Sequence, residues 1–511
     1  MDYKITKFDL TAEELKFEQT AEVPIDTDIS LADYEPDINR LLKCEITPFI
    51  SSKRISGNAL GIEGNVLLTV IYCDNEGKLY STEAELPYKK LFEAASMLEG
   101  GNCEVNLNAT VHSCRAVTER KFSIKASVKL EVAVYINKKI SIISDIDSNC
   151  FEQLCGETKA TTPLAMSEKS FILDEEITLD SSCESIAKII KTDIVPIINE
   201  NKNINSKIVA KGDINIDCFY LSKNGNLCKH RVSMPFNQIL DFVGINDECE
   251  CDTSISVCGI SVSPRTNQSG ECRSFVLVAK FCIIARARCD SNVPVIFDVY
   301  STKYSVIPKK EEITFNKIVH NSCKTFSCQK SLQLPNEQYK DISALWCKSN
   351  GCYARYSENV MKLIGSITVC AIVTNEQNEH TLIERMIDYE YPLEITEELR
   401  SPTCRPICEI IKYDYSYLAG GNIDLRLDLL FKSTVYDIST VNLITDVTVD
   451  EASNSSYNNC SLVAYYADSG EELWKIAKSF SACKKEIMEF NNIKEEVISS
   501  PCMILISAHK S

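Results

Sequence analysis

The sequence predicts a mainly β protein: three repeated antiparallel β-sandwich-like domains, followed by a small α+β unit in the order strand, helix, helix, strand. Three observations carry this expectation. Apolar and polar residues alternate with period two through most of the 511 residues, which buries one face of a strand and leaves the other wet. A long segment returns 148 residues later without a gap. Near the end, a single stretch from Glu471 to Ile493 changes to helical spacing.

The repeat decides the organisation. "DTDISLADYEPDINRLLKCEITPFI" from Asp26 lies on "DEEITLDSSCESIAKIIKTDIVPII" from Asp174, so Ile29, Leu31, Ile38, Ile46 and Pro48 meet Ile177, Leu179, Ile186, Ile194 and Pro196. The same shift pairs Gly64, Tyr72, Gly77 and Pro87 with Gly212, Tyr220, Gly225 and Pro235. A looser third copy has Gly365 standing 153 residues after Gly212, and Asn378 where the hairpin glycine belongs. Asparagine tolerates a left-handed backbone better than most residues, so the turn is expected to survive. Each copy closes on an alternating stretch, beginning at Phe122, Phe275 and Ile423. Short helical turns such as Ile38 to Leu42 are expected to cap one side.

The expected division is an N-terminal segment (1–25), repeats at 26–165, 170–315 and 320–455, and a terminal unit at 461–511. Fragments cut near residues 168 and 318 are expected to be separately soluble.

Composition excludes several classes. Hydrophobic residues at 44% and charged ones at 25% suffice for packed cores and argue against disorder. A formal charge of -18 disfavours nucleic acid and anionic membranes as partners, since both need a cationic footprint. The N-terminus is charged at Asp2, Lys4, Lys7 and Asp9 and lacks the apolar core of a secretory signal. The apolar stretch Phe275 to Ala285 is broken by Lys280 and too short to span a bilayer. A cytosolic chain without a membrane span is therefore expected. The 25 cysteines, such as Cys218 and Cys282, fit buried free thiols in a reducing compartment better than disulfides.

No catalytic constellation stands out. His112, His230, His320, His380 and His509 fall at unrelated points of the copies, and HExxH, P-loop and GxGxxG patterns are missing. Cys404 and Cys408, Cys347 and Cys352, and Cys249 and Cys251 are close in sequence, yet none has a second pair at zinc-finger spacing. No enzyme activity, metal or cofactor is expected.

In the terminal unit, Leu473, Ile476, Ala477 and Phe480 share one helical face, and Ile487 and Phe490 are spaced by three. Trp474, Ile476, Phe480 and Ile487 are expected in the core, with Trp474 packed under the second helix. Glu471 and Glu472 open the first helix, where the dipole favours carboxylates. Cys483 stands where Ser or Thr would cap the second helix, a change costing about 1 kcal/mol.

These residues carry two resemblances. Tyr466, Gly470, Leu473, Trp474, Ile476, Ala477, Ile487 and Asn491 meet the pattern of a LysM domain. The repeats resemble the SPOCS domain of spore-forming Firmicutes, through Pro36, Asp37 and Ile38 and the Gly, Tyr, Gly, Pro spacing. Three SPOCS-like copies ahead of one LysM domain is the layout of the clostridial spore-coat morphogenetic SipL family. The resemblance implies a scaffold in the mother cell, at the forespore surface and spore coat, that binds the coat-basement ATPase (stage IV sporulation protein A) and other spore coat proteins. A peptidoglycan or N-acetylglucosamine ligand is the alternative. It is disfavoured because Glu471 and Glu472 replace the usual Asp-Thr of the glycan loop, and Ser500, Pro501 and Cys502 replace Pro-Gly-Gln. Expected partner contacts are Asp468, Gly470, Glu471, Glu472, Lys484, Lys485, Glu489 and Asn491.

Overall fold

A computed structural model describes residues 3–204, 206–242, 245, 249–335, 339–395, 399–418, 421–454 and 462–507; His509 and both ends of the terminal unit lie outside them. Copy 1 comprises β1 (Lys4–Ser30), β2 (Arg40–Ser56), β3 (Ala59–Cys73), β4 (Leu79–Glu93), β5 (Asn102–Thr118) and β6 (Lys121–Asp147). Copy 2 comprises β7 (Phe151–Thr178), β8 (Ile186–Ile204), β9 (Lys207–Ser222), β10 (Leu227–Asp241), β11 (Glu250–Thr266) and β12 (Cys272–Ser301). Copy 3 comprises β13 (Tyr304–Gln333), β14 (Tyr339–Ser357), β15 (Val360–Asn375), β16 (His380–Leu393), β17 (Pro402–Cys404), β18 (Ile407–Leu418) and β19 (Asn422–Asn454). In copy 1 the antiparallel sheets β1-β6-β5 and β2-β3-β4 face each other over a common core that includes Ile46, Val70, Phe122 and Leu130. Copies 2 and 3 repeat the plan, with β17 and β18 together taking the part of β5.

The repeat markers have structural causes. At Gly64, a Cβ would run into the Phe49 carbonyl and the ring of Tyr88, whose hydroxyl donates to that carbonyl at 3.0 Å. The same collision, with Ile197 and Phe236, awaits a side chain at Gly212. Gly77, Gly225 and Asn378 all turn their hairpins with positive φ, at 79°, 85° and 60°, so asparagine does serve in copy 3. The bulges of β2, at Leu41/Lys43 and Ile50/Ser52, recur in β8 at Ile189/Lys191 and Ile198/Glu200, as expected of a feature that aims side chains. Asp37 accepts from Arg120 Nη1 at 2.8 Å, and the Tyr72 hydroxyl donates to the Pro36 carbonyl at 3.2 Å.

One local expectation fails. Ile38 to Leu42 is not a helical turn: β2 begins at Arg40, and the turn lies earlier, closed by the Glu35 amide on the Ala32 carbonyl. Ile38 and Asn39 donate to the Glu119 and Cys73 carbonyls instead. Bonds to neighbouring strands outcompete an isolated turn, which is costly to nucleate.

Nothing in the local pattern announces how the copies assemble. β5 pairs with β6 only as far as Tyr135, while β1 and β6 continue together to Lys4 and Asp147. β7 with β12 and β13 with β19 do the same. These three two-stranded arms pack into one stalk, whose core draws Leu10 and Ile142 from copy 1, Val293 and Val295 from copy 2, and Ile313 and Leu443 from copy 3. The segment set apart as 1–25 is, from Lys4 on, the first part of β1. Above the stalk the sandwiches close a ring: β4 meets β8, β10 meets β14 and β16 meets β2.

Residues 168 and 318 fall inside β7 and β13. A fragment ending at 168 is therefore expected to expose the inner face of its stalk arm and self-associate, in contrast to the sequence-based expectation of separate solubility. Size-exclusion chromatography of that fragment checks this; a well-behaved monomer would count against a shared stalk core.

Candidate functional site

The terminal unit has the expected order: β20 (Leu462–Ala467), α1 (Leu473–Ser479), α2 (Lys484–Asn491) and β21 (Cys502–Ser507), with β20 and β21 antiparallel. Gly470 is the residue before the first helix that must take positive φ, at 94°. Its amide donates to the Ile498 carbonyl at 2.7 Å, and the Ile498 amide returns to Glu471 at 2.9 Å. The loop before α1 and the loop before β21 are thus tied to each other through their backbones. Leu473, Ile476, Ala477 and Ile487 are buried and Phe480 is partly buried. Phe490, spaced by three from Ile487 in the same helix, is nevertheless 61% exposed, and α2 buries only Ile487.

Trp474 is buried, but the partners that hold it come from another domain. Its ring meets Tyr300 edge-on at 5.0 Å between centroids, and its Nε1 donates to Asp298 Oδ2 at 3.0 Å. Both residues belong to the stalk end of β12. Lys478 Nζ lies 2.6 Å from the same carboxylate, and the Tyr300 hydroxyl donates to the Ala482 carbonyl at 2.8 Å. Burial opposes ionisation of Asp298, yet the hydrogen bonds from Lys478 and Trp474 hold its carboxyl below the usual range. Expecting Trp474 under the second helix missed this dock, since Asp298 and Tyr300 precede it by more than 170 residues.

The expected partner contacts divide. Asn491 is occupied internally: its amide donates to the Ile487 and Leu505 carbonyls and accepts from the Leu505 amide at 2.8 Å. Glu471 accepts from the Tyr465 hydroxyl at 3.1 Å and the Asp468 amide at 3.2 Å, closing the first loop. Glu472 occupies the N-cap of α1 without a side-chain cap bond and pairs with Lys475 at 2.9 Å. Cys483 likewise makes no side-chain cap bond at α2. Lys484 pairs with Glu496 at 2.7 Å, while Lys485 and Glu489 remain open to solvent, 4.0 Å apart.

Sequence reasoning passed over the outer face of the two-stranded sheet. Tyr466 and Met503 are cross-strand neighbours, 67% and 66% exposed. Leu462 on the same face and Phe490 at its border are also exposed. The signal was present in "LVAYY", which is apolar on both faces of a strand and not only on the inner one. Four large apolar side chains on so small a unit form a surface suited to protein contact.

Elsewhere, a cavity of about 2290 Å³ lies between the three copies. Its walls carry charges that are largely paired, as in Arg286 with Glu104 at 2.8 Å and Arg405 with Glu18 at 2.6 Å. His112, His230, His320 and His380 sit in separate sheets. The described cysteines are all free thiols. No helix among the described residues is long and apolar enough to cross a membrane.

Comparison with known proteins agrees with the internal repeat. No curated protein matches the chain. The family model described as "SipL, SPOCS domain" matches residues 37–119 and again 185–264, the sheet β2-β3-β4 with all of β5, and the sheet β8-β9-β10 with most of β11. Two segments of the chain thus match the SipL SPOCS domain, which is consistent with a SipL-like protein carrying repeated SPOCS domains.

Proposed function

We propose that the chain is a non-enzymatic scaffold for spore coat assembly. It works in the mother cell at the forespore surface and gathers coat proteins by binding the coat-basement ATPase, stage IV sporulation protein A, through its terminal LysM-like unit. The supporting observation is the exposed apolar face of Tyr466, Met503, Leu462 and Phe490. Leaving such residues in water forgoes about 1.5–3 kcal/mol for each large side chain that a partner could bury. Lys485 and Glu489 lie on the neighbouring helix and suit the polar rim of an interface.

The unit alone barely offers the roughly 800 Å² per partner of a standard complex, so the stalk end against which it docks is part of the presented surface. The test is binding of the full chain to the ATPase. Tyr466→Ala and Met503→Ala are each expected to weaken it at least about tenfold, the effect of a modest hot spot, with melting unchanged. Sub-millimolar binding of chitooligosaccharide without ATPase binding would replace this reading by the peptidoglycan one.

A further inference from the structure

Asp180, Cys183 and His230 bring a carboxylate oxygen, a thiol sulfur and an imidazole nitrogen within 4.8 Å of one another. The donors come from two places. Asp180 and Cys183 bracket the turn after β7, which the Cys183 amide closes on the Asp180 carbonyl at 3.0 Å. Arg273 Nη2 holds the same carbonyl at 2.8 Å and leaves the Asp180 carboxylate unpaired among the described residues. His230 arrives from β10, opposite Cys218 of β9, and is 6% exposed. Asp180 is exposed and Cys183 half-buried, so the cluster opens to solvent on one side. The thiols of Cys183 and of Cys228, two residues before His230 on the same strand, both lie against the Tyr220 hydroxyl.

We propose that Asp180, Cys183 and His230 form a zinc site of copy 2, with water in the fourth position. The donor set favours zinc, whose borderline softness accepts thiolate, imidazole and carboxylate together. Bonds of about 2.0–2.3 Å at tetrahedral angles set ligand atoms roughly 3.3–3.8 Å apart. Rotations of exposed Asp180 and half-buried Cys183 supply the remaining contraction.

Copy 1 serves as the internal control. Its turn is the same, with the Glu35 amide on the Ala32 carbonyl at 2.9 Å, and Thr82 stands opposite Val70 as His230 stands opposite Cys218. The residues at the three donor positions are Ala32, Glu35 and Thr82. Glu35 turns instead to Lys188 of copy 2, at 3.2 Å. The fold therefore does not require the donors; all three are exchanged together in one copy. A bound ion would staple the turn after β7 to the hairpin strand β10, and its binding free energy would add to the stability of that copy.

The test uses the full chain, stripped by chelator under reducing conditions and titrated with Co(II) alone. One tight equivalent with a thiolate-to-cobalt charge-transfer band is expected, displaced by Zn(II), together with a rise in melting temperature. Cys183→Ser and His230→Gln are expected to remove both the band and the rise, whereas Cys155→Ser, at an exposed thiol of the stalk, keeps them. Should either core variant misfold by circular dichroism, Asp180→Asn in the exposed turn reports instead, with Co(II) bound at least about tenfold more weakly. Absence of the band in the unmodified chain, or its survival in the folded site variants, overturns the proposal.

Discussion

Replacing Lys191 with alanine is expected to destabilise the three-copy ring by about 3–5 kcal/mol, the usual cost of stripping one partner from a buried ion pair. Three positions that the repeat makes equivalent converge on this one ammonium. Glu45, Asp193 and Trp346 stand opposite Thr69, Asp217 and Cys370, each five residues beyond its marker glycine. Lys191 Nζ lies 2.5 Å from Glu45, 3.2 Å from Asp193 and 4.8 Å from the centre of the Trp346 ring. Trp346 Nε1 adds a hydrogen bond to Glu45 at 2.9 Å. Without Lys191, the buried Glu45 carboxylate loses its cation, and the half-exposed Asp193 carboxylate lies close by. Calorimetry of the variant checks this; a change below about 1 kcal/mol, the worth of an exposed pair, would show that water reaches the junction.

The same junction predicts an acid limit. Burial pushes the Glu45 carboxyl up, but Lys191 and Trp346 outweigh it and bring it down from 4.5 to about 2. A group depressed in the folded state contributes its stability above its unfolded value and loses it as pH falls. Glu45 should thus contribute about 3 kcal/mol at neutral pH, lost between about pH 4.5 and 2. Lys191 is raised in turn, burial opposing and the carboxylates prevailing, so its contribution persists through neutral pH and is lost only as pH climbs above 10.5. Glu45→Gln is expected to flatten the acid limb of the stability profile; an unchanged limb would assign acid unfolding to other carboxylates.

Trp474→Ala is expected to have the second large effect, melting the terminal unit and releasing it from the stalk together. A buried Trp→Ala change costs about 3–5 kcal/mol, close to all that a fifty-residue unit can muster. Here the indole also supplies the edge contact to Tyr300 and the hydrogen bond to Asp298. Limited proteolysis should cut between β19 and β20 in the variant before it does in the parent. A double-mutant cycle with Tyr300→Leu should show coupling of about 0.5–1.5 kcal/mol, the worth of an aromatic pair. Additive losses would place the role of Trp474 within its own unit.

The terminal unit was legible because its helices are amphipathic and its turn needs Gly470; these are properties of a dozen neighbouring residues. Phe490 stays exposed although it shares α2 with Ile487, because a spacing of three leaves two side chains about 60° apart around the helix and α2 buries only Ile487. The donors of the zinc proposal escaped a search for paired cysteines because a β-turn and a strand some fifty residues apart supply them.

By itself the sequence determined the β class, the register of the repeat, the hairpin turns at Gly77, Gly225 and Asn378, and the order of the last unit. Each follows from local sterics or from burial of one face of one element, which residues a few places apart specify. Tertiary structure alone decided that the arms of β1/β6, β7/β12 and β13/β19 share a stalk, that Lys191 serves three copies, and that Trp474 is covered by Tyr300. Most of those contacts join residues more than a hundred positions apart. The free energy comes from desolvating apolar faces and pairing charges at a junction, and alternation along a strand records that a face is buried, not which partner buries it.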